Sequence, residues 1–196
     1  VPDTVTKISM DGFSGTVEFR KSNFSEEYNV EKLTLWDGWL WETIDCSNLS
    51  TSKEISSSGS VAGQTLNNKL IYMKNNLVSI KYNRRNNTKF YYNFETLKDL
   101  VKLRAMELYN GDLENVSYIS NYTSLQRVYF KNCCISNQEF EELIENSSAS
   151  SISVPNNDIS TVPYSITTNN YLTELDLSGN LLQNYITYEY EGGNKT

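Results

Sequence analysis

The chain contains no histidine. That removes the commonest general base, the commonest metal ligand and the one side chain that switches charge near neutral pH. Cysteine is almost as scarce: Cys46 stands alone, and Cys133 and Cys134 are adjacent. An odd number with one adjacent pair is not a disulfide framework. Neighbours on a strand point to opposite faces, so Cys133 and Cys134 are poor partners for each other, while a bridge from Cys46 to either stays open. No apolar run reaches the ~18 residues a spanning helix needs. No charged n-region followed by an apolar stretch opens the chain, which starts at Val1-Pro2 as a mature or trimmed product would. Basic residues are outnumbered, 17 against 24 acidic, for a net charge of −7. That balance excludes DNA and RNA as expected partners, because neutralising phosphates needs clustered Lys and Arg. Nor is there a P-loop, GxGxxG, GxSxG, HExxH or CxxC motif. Apolar residues make up only 38%, but 12% of the chain is aromatic, which argues against disorder.

What is present is a repeat. Leu172, Leu175, Leu177, Asn180 and Leu182 fit the spacing L-x-x-L-x-L-x-x-N-x-L at every fixed position. Stepping back by 23 residues gives Ala149, Ile152, Val154, Asn157 and Ile159 in the same register. A step of 24 gives Leu125, Val128, Phe130, Cys133 and Ile135, and a step of 22 gives Leu103, Met106, Leu108, Gly111 and Leu113. Apolar residues spaced in this way can share one continuous interior, each worth roughly 1.5–3 kcal/mol when buried. The Asn or Cys position can cap backbone groups inside the turn, where an unpaired amide costs roughly 1–3 kcal/mol. Gly111 lacks that cap, so its rung should be weaker.

Over residues 96–185 these units resemble the leucine-rich-repeat family. The resemblance implies an α/β solenoid: a right-handed superhelix with a parallel β-sheet on the concave face. The rest is expected to be mostly β and loop, with short helical or 3-10 segments on the convex side. Leu113, Val116 and Ile119 recur every third residue ahead of Asn121-Tyr-Thr-Ser-Leu125, similar to the short repeats of bacterial internalins. Gln138 to Asn146 reads as a helix with Phe140, Leu143 and Ile144 on one face. Ile159, Val162, Pro163 and Ile166 are similar to the longer repeats of extracellular eukaryotic receptors.

Residues 1–95 admit two readings, irregular early repeats or a β-rich cap. Val5, Ile8 and Met10, then Val30, Leu33 and Leu35 with Leu40, carry the pattern 25 residues apart. Leu70 to Ile80 also reads as a repeat core, but its distance to its neighbours is wrong. Shifting to Leu77, Ile80 and Tyr82 restores a spacing of 26 to Leu103 and then requires a degenerate unit around Ser52, Ile55 and Ser57. The cap reading rests on hairpin turns at Asp37-Gly38 and Asn75-Asn76. Ser47 to Gln64 reads as a loop or a weakly ordered repeat. Residues 186–196 are expected to form a closing strand and tail, with Tyr185, Ile186, Tyr188 and Tyr190 alternating, or else the natural chain continues.

Residues between the core positions of each strand face solvent. Those on the concave face that could meet a ligand are Trp36, Lys81, Asn83, Arg104, Glu107, Tyr109, Arg127, Tyr129 and Lys131. The later repeats offer Ser151, Ser153, Glu174, Asp176 and Ser178. Arg, Tyr and Trp are enriched in interface hot spots, and Tyr gives large contact area at low entropic cost. Asp11, Asp37, Glu42 and Asp45 could include a carboxylate pair for glycoside hydrolysis, but nothing in their spacing brings two together.

The resemblance implies a non-enzymatic recognition ectodomain, extracellular or on a cell surface. Its partner would be a protein, peptide or glycan, with no cofactor, no metal and no membrane insertion of this segment. The alternatives are a carbohydrate-active enzyme on a related β-solenoid, using Lys81, Arg104, Glu107 and Arg127, or an assembly protein that stacks end to end. Seven Asn-x-Ser/Thr sequons occur, at Asn23, Asn48, Asn86, Asn115, Asn121, Asn146 and Asn194. Composition alone yields about five, so glycosylation is permitted by the sequence.

Overall fold

The computed structural model describes residues 6–10, 30–35, 46, 49–59, 63–84 and 91–182. Its organising element is an eight-stranded parallel sheet in which every strand is one rung of a coil. In chain order the strands are β1 (Lys7–Met10), β2 (Lys32–Leu35), β3 (Glu54–Gly59), β4 (Ser79–Arg84), β6 (Ala105–Tyr109), β8 (Arg127–Lys131), β9 (Ser151–Ser153) and β10 (Glu174–Asp176). The two missing numbers, β5 (Tyr91–Asn93) and β7 (Asp112–Glu114), pair with each other as a small parallel sheet. The fold is thus a solenoid of the α/β kind, with one large and one small parallel sheet and a few short helices among the described residues.

The spacing of apolar residues places the rungs. Ile8, Leu33, Ile55, Ile80, Met106, Val128, Ile152 and Leu175 stand directly beside one another across the sheet. From Leu33 to Ile152 this column is buried. A second column, Met10, Leu35, Ser57, Tyr82, Leu108 and Phe130, runs in phase with it. Strand alternation sends both columns to the same side, where they meet the core.

The early part of the chain therefore supplies four strands to the same sheet. Of the two registers around residue 75, the structure adopts the shifted one: Ile80 pairs with Met106 and Tyr82 with Leu108. Ile71–Met73 is a turn of 3-10 helix and Lys74 to Asn76 a turn, so the Asn75-Asn76 hairpin is not formed. Asn76 instead donates its side-chain amide to the Ser50 carbonyl of the preceding coil, 2.9 Å away. The unit around Ser52 is a full rung. Ser52 is buried and its hydroxyl donates to the Val30 carbonyl at 2.6 Å, so a polar residue at a core position is satisfied. Ser47 to Gln64, read from composition as loop or weak repeat, contains β3 and opens the helix α1 (Gly63–Leu70). The Asp37-Gly38 turn and the Tyr185 to Tyr190 strand lie outside the described residues.

The opposite side of the coil follows local sequence closely. Val116–Asn121 is a 3-10 helix that buries Val116 and Ile119, because residues three apart eclipse in that helix. Asn137–Asn146 forms α2. Ser136 caps it: its hydroxyl accepts from the Glu139 backbone amide at 3.3 Å, while Glu139 Oε2 accepts from the Ser136 amide at 2.8 Å. Phe140, Leu143 and Ile144 face the core, fully buried. Tyr164–Thr167 is a 3-10 helix after Pro163.

Asparagine links the coils. Asn157 Oδ1 accepts from the amides of Cys133 (2.7 Å) and Ile135 (3.2 Å), and its Nδ2 donates to the carbonyls of Phe130, Val154 and Pro155. Asn180 repeats this one rung later, accepting from the Asn157 and Ile159 amides. Cys133 fills the same position one rung earlier, its thiol donating to the Leu108 carbonyl at 3.6 Å. Burial pushes that thiol up to about 12, so it stays protonated and a donor. None of the three cysteines is in a disulfide; the bridge that Cys46 left open is absent.

One part of the core is imperfect. Tyr92, Phe94, Tyr122 and Phe130 form an aromatic cluster with ring centroids 5.0–6.2 Å apart. The hydroxyls of Tyr92 and Tyr122 are buried without a hydrogen bond. They influence each other electrostatically but do not reach bonding geometry, and burial holds both well above the usual phenol range. An unpaired buried hydroxyl costs roughly 1–3 kcal/mol. Tyr92→Phe should therefore leave stability unchanged or raise it by about 1 kcal/mol, read as the urea midpoint of unfolding. A loss above about 1 kcal/mol would show that the hydroxyl is bonded after all.

Candidate functional site

Eight strands held in register give the protein one broad, stiff surface: the solvent face of the sheet, opposite the core. Two rows of side chains cross it. The first runs Lys7, Lys32, Glu54, Ser79, Ala105, Arg127, Ser151 and Glu174. The second runs Ser9, Thr34, Ser56, Lys81, Glu107, Tyr129, Ser153 and Asp176. A shorter third row sets Asn83 beside Tyr109 and Tyr109 beside Lys131.

Of the residues singled out in the sequence, four form one cluster. Lys81 Nζ lies 2.8 Å from Glu107 Oε2, and the Tyr109 hydroxyl donates to the same oxygen at 3.2 Å. The Lys81 ammonium also sits 5.4 Å from the Tyr109 ring centroid, within cation–π reach. The Tyr109 and Tyr129 rings are 5.3 Å apart and tilted by 42°. The Glu107 carboxylate holds the Lys81 ammonium above its ordinary range; partial burial and the same carboxylate raise the Tyr109 phenol. Lysine is thus charged and tyrosine neutral at physiological pH. The stabilisation that comes with the raised Lys81 ammonium is present at neutral pH and fades as strongly alkaline pH deprotonates Lys81.

Arg127 and Lys131 occupy the same strand as Tyr129, on the same face, and neither is in an ion pair among the described residues. Arg104 stands one residue before β6, outside its alternation, exposed at the sheet's edge; the position that shares the row with Arg127 is Ala105. Asn83 accepts from Asn110 Nδ2 at 3.0 Å, and Asn110 in turn accepts from Asn132 Nδ2 at 3.0 Å. Its role is therefore partly structural, at one end of a ladder. Asn110, Asn132 and Asn156 take the left-handed backbone region, as does Gly179 one rung on. Asparagine and glycine tolerate that region best. Trp36 lies outside the described residues.

Sequence reading missed the Asn110–Asn132 ladder and the Lys32–Glu54 pair, 2.9 Å apart on adjacent rungs. The ladder had a signal, an asparagine directly after each of two strands. The ion pair had one only after the register between β2 and β3 was known. At the far end, Asp176 accepts from the Ser178 amide and the Ser153 hydroxyl, and these bonds hold its carboxyl below the usual range.

Glu107's neighbours along its row are Lys81 and Tyr129, so no second carboxylate faces it from an adjacent rung. Asp11, Asp37, Glu42 and Asp45 lie outside the described residues. Among the described residues no group of His, Cys, Asp and Glu is arranged to hold a metal ion. No helix among them is long and apolar enough to cross a membrane.

No protein-family model and no curated protein matches this sequence. Among solved structures, the chain is similar to an internalin from Listeria monocytogenes, with a TM-score of 0.55 at 15% identity. The match covers 80% of this chain and 44% of the internalin, so this chain spans less than half the length of that protein. The likeness concerns the fold: a leucine-rich-repeat-like solenoid with its parallel sheet.

Proposed function

We propose that this internalin-like solenoid is a non-enzymatic recognition module, working on or outside a cell, that docks a protein or peptide on the solvent face of its sheet. The observation that carries the reading is the Tyr109–Tyr129 ring pair, held on a rigid sheet by Lys81 and Glu107 and flanked by Arg127 and Lys131. Aromatic rings fixed before binding lose little entropy on contact, and Tyr and Arg are the residues on which interface energy concentrates. The enzymatic alternative calls for clustered carboxylates beside basic residues, whereas Glu107's neighbours along its row are Lys81 and Tyr129. Asn115 and Asn121 are exposed on the other side of the coil, so glycans there would leave the sheet face clear.

The test is selection of a displayed random-peptide library on the native chain, followed by binding of the selected peptides to Tyr109→Ala/Tyr129→Ala. Losing two hot-spot rings should weaken binding roughly ten- to thirtyfold. Equal affinity for the native and doubly substituted chains, with unchanged circular dichroism, would remove the sheet face as the docking surface.

A further inference from the structure

A second feature of the sheet face lies to one side of the tyrosine pair. Arg104, Gln126, Arg127, Ser151, Thr173 and Glu174 line a groove along the edge where the strands begin. The small side chain of Ala105 forms part of the same lining. Arg104 and Arg127 are exposed at one end and in no ion pair among the described residues, although the chain as a whole carries −7. Glu174 is exposed at the other end. The serine and threonine between them carry no charge. The groove is therefore bipolar, with one guanidinium just ahead of β6, one on β8, and a carboxylate on β10.

We infer that this groove selects an extended peptide segment carrying an acidic residue and, a few residues away, a basic one. The inference rests on the docking reading above and names its partner's chemistry. Rungs are about 4.8 Å apart, so Glu174 lies roughly 10 Å across the sheet from Arg127 and roughly 14 Å from the rung that follows Arg104. An extended chain advances about 3.3 Å per residue, which places the two complementary charges about three or four residues apart. Arginine's planar fork suits a carboxylate at one end. A uniformly anionic polymer, such as a sulfated glycan, fits less well, because it would carry like charge past Glu174 and then Asp176 in the neighbouring row.

Three fluorescein-labelled peptides of equal length on one shared aromatic segment provide the probe. One bears a glutamate pair and a lysine pair about three residues apart; one is glutamate at all those positions and one lysine. A heparin-type sulfated oligosaccharide is the fourth ligand. The mixed peptide should bind tightest by fluorescence anisotropy at low salt and weaken at least about tenfold with Arg104→Ala/Arg127→Ala. Glu174→Lys, a surface change that makes the groove wholly basic, should move the preference to the all-glutamate peptide. Equal binding of mixed and all-glutamate peptides, preference for the sulfated oligosaccharide, or indifference to both variants overturns the inference. Its failure is separable from that of the docking reading. Library-selected peptides that need Tyr109 and Tyr129 but ignore Arg104, Arg127 and Glu174 sink this groove and keep the tyrosine site. Peptides that ignore all five residues sink both.

Discussion

Replacing Asn157 by alanine should destabilise the protein by roughly 3–5 kcal/mol, seen as a fall in the urea midpoint with little change in slope. The side chain is buried and makes five hydrogen bonds to backbone groups of two coils. Removing it leaves the Cys133 and Ile135 amides unpaired in the interior, where each unsatisfied group costs roughly 1–3 kcal/mol. Alanine supplies neither the acceptor nor the donors that are lost. Asn137 provides the control. It makes three comparable bonds, one from Nδ2 to Ser160 Oγ and two accepted from the amides of Ser160 and Thr161. Those bonds are solvent-exposed, so Asn137→Ala should cost only about 0.5–1 kcal/mol. Equal losses at the two sites would mean that burial does not set the value of the asparagine rungs.

Phe130→Ala should cost roughly 3–5 kcal/mol, the range for emptying a buried aromatic site. Phe130 is fully buried and packs edge-on to Phe94, with ring centroids 6.2 Å apart. Its neighbour Tyr129 points to the other face of the same strand, so Tyr129→Ala should change stability by less than about 1 kcal/mol. That contrast also serves the binding experiment, since it keeps a loss of affinity at Tyr129 from being confused with unfolding. In a solenoid each coil contacts only its neighbours, so the cavity should loosen the adjoining rungs most. Amide hydrogen exchange should accelerate first in β6, β8 and β9. Uniform acceleration across all eight strands would show instead that the coil unfolds as a single unit.

The regular units were legible because the interior demands the same residue type at the same step. Leu103, Leu125 and Ala149 open successive rungs, and a 22- to 24-residue step between buried positions leaves few alternative registers. The helix over Gln138 to Asn146 was equally readable from its one-sided apolar face, and the structure starts it one residue earlier, at Asn137, behind the Ser136 capping box. The β3 rung was harder to read. Its core positions include Ser57, and the Ser52 hydroxyl is satisfied by a carbonyl from a different coil. Composition makes such a stretch look like loop, because the compensating partner lies 22 residues away. Asn75-Asn76 misled in the same way. It matches a hairpin turn locally, but the coil consumes it in a turn whose asparagine side chain bonds the preceding rung.

The candidate site was legible as a face and not as an arrangement. Alternation alone puts Lys81, Glu107, Tyr109, Arg127, Tyr129 and Lys131 on the solvent side. It does not say that Lys81, Glu107 and Tyr109 converge on one carboxylate oxygen, or that Arg104 leaves the row to join the groove.

The amino-acid sequence by itself determined the step of the coil, the identity of the interior columns and the side of the sheet on which tyrosine and arginine stand. These follow from periodicity, which is a property of the chain taken one residue after another. Only the tertiary structure decided which coil's charge meets which, where asparagine takes the place of a hydrophobic contact, and that two arginines and a glutamate from separate rungs line one groove. Those outcomes depend on the registers between coils more than twenty residues apart, and a shift of one residue in any of them would send every side chain of that strand to the opposite face.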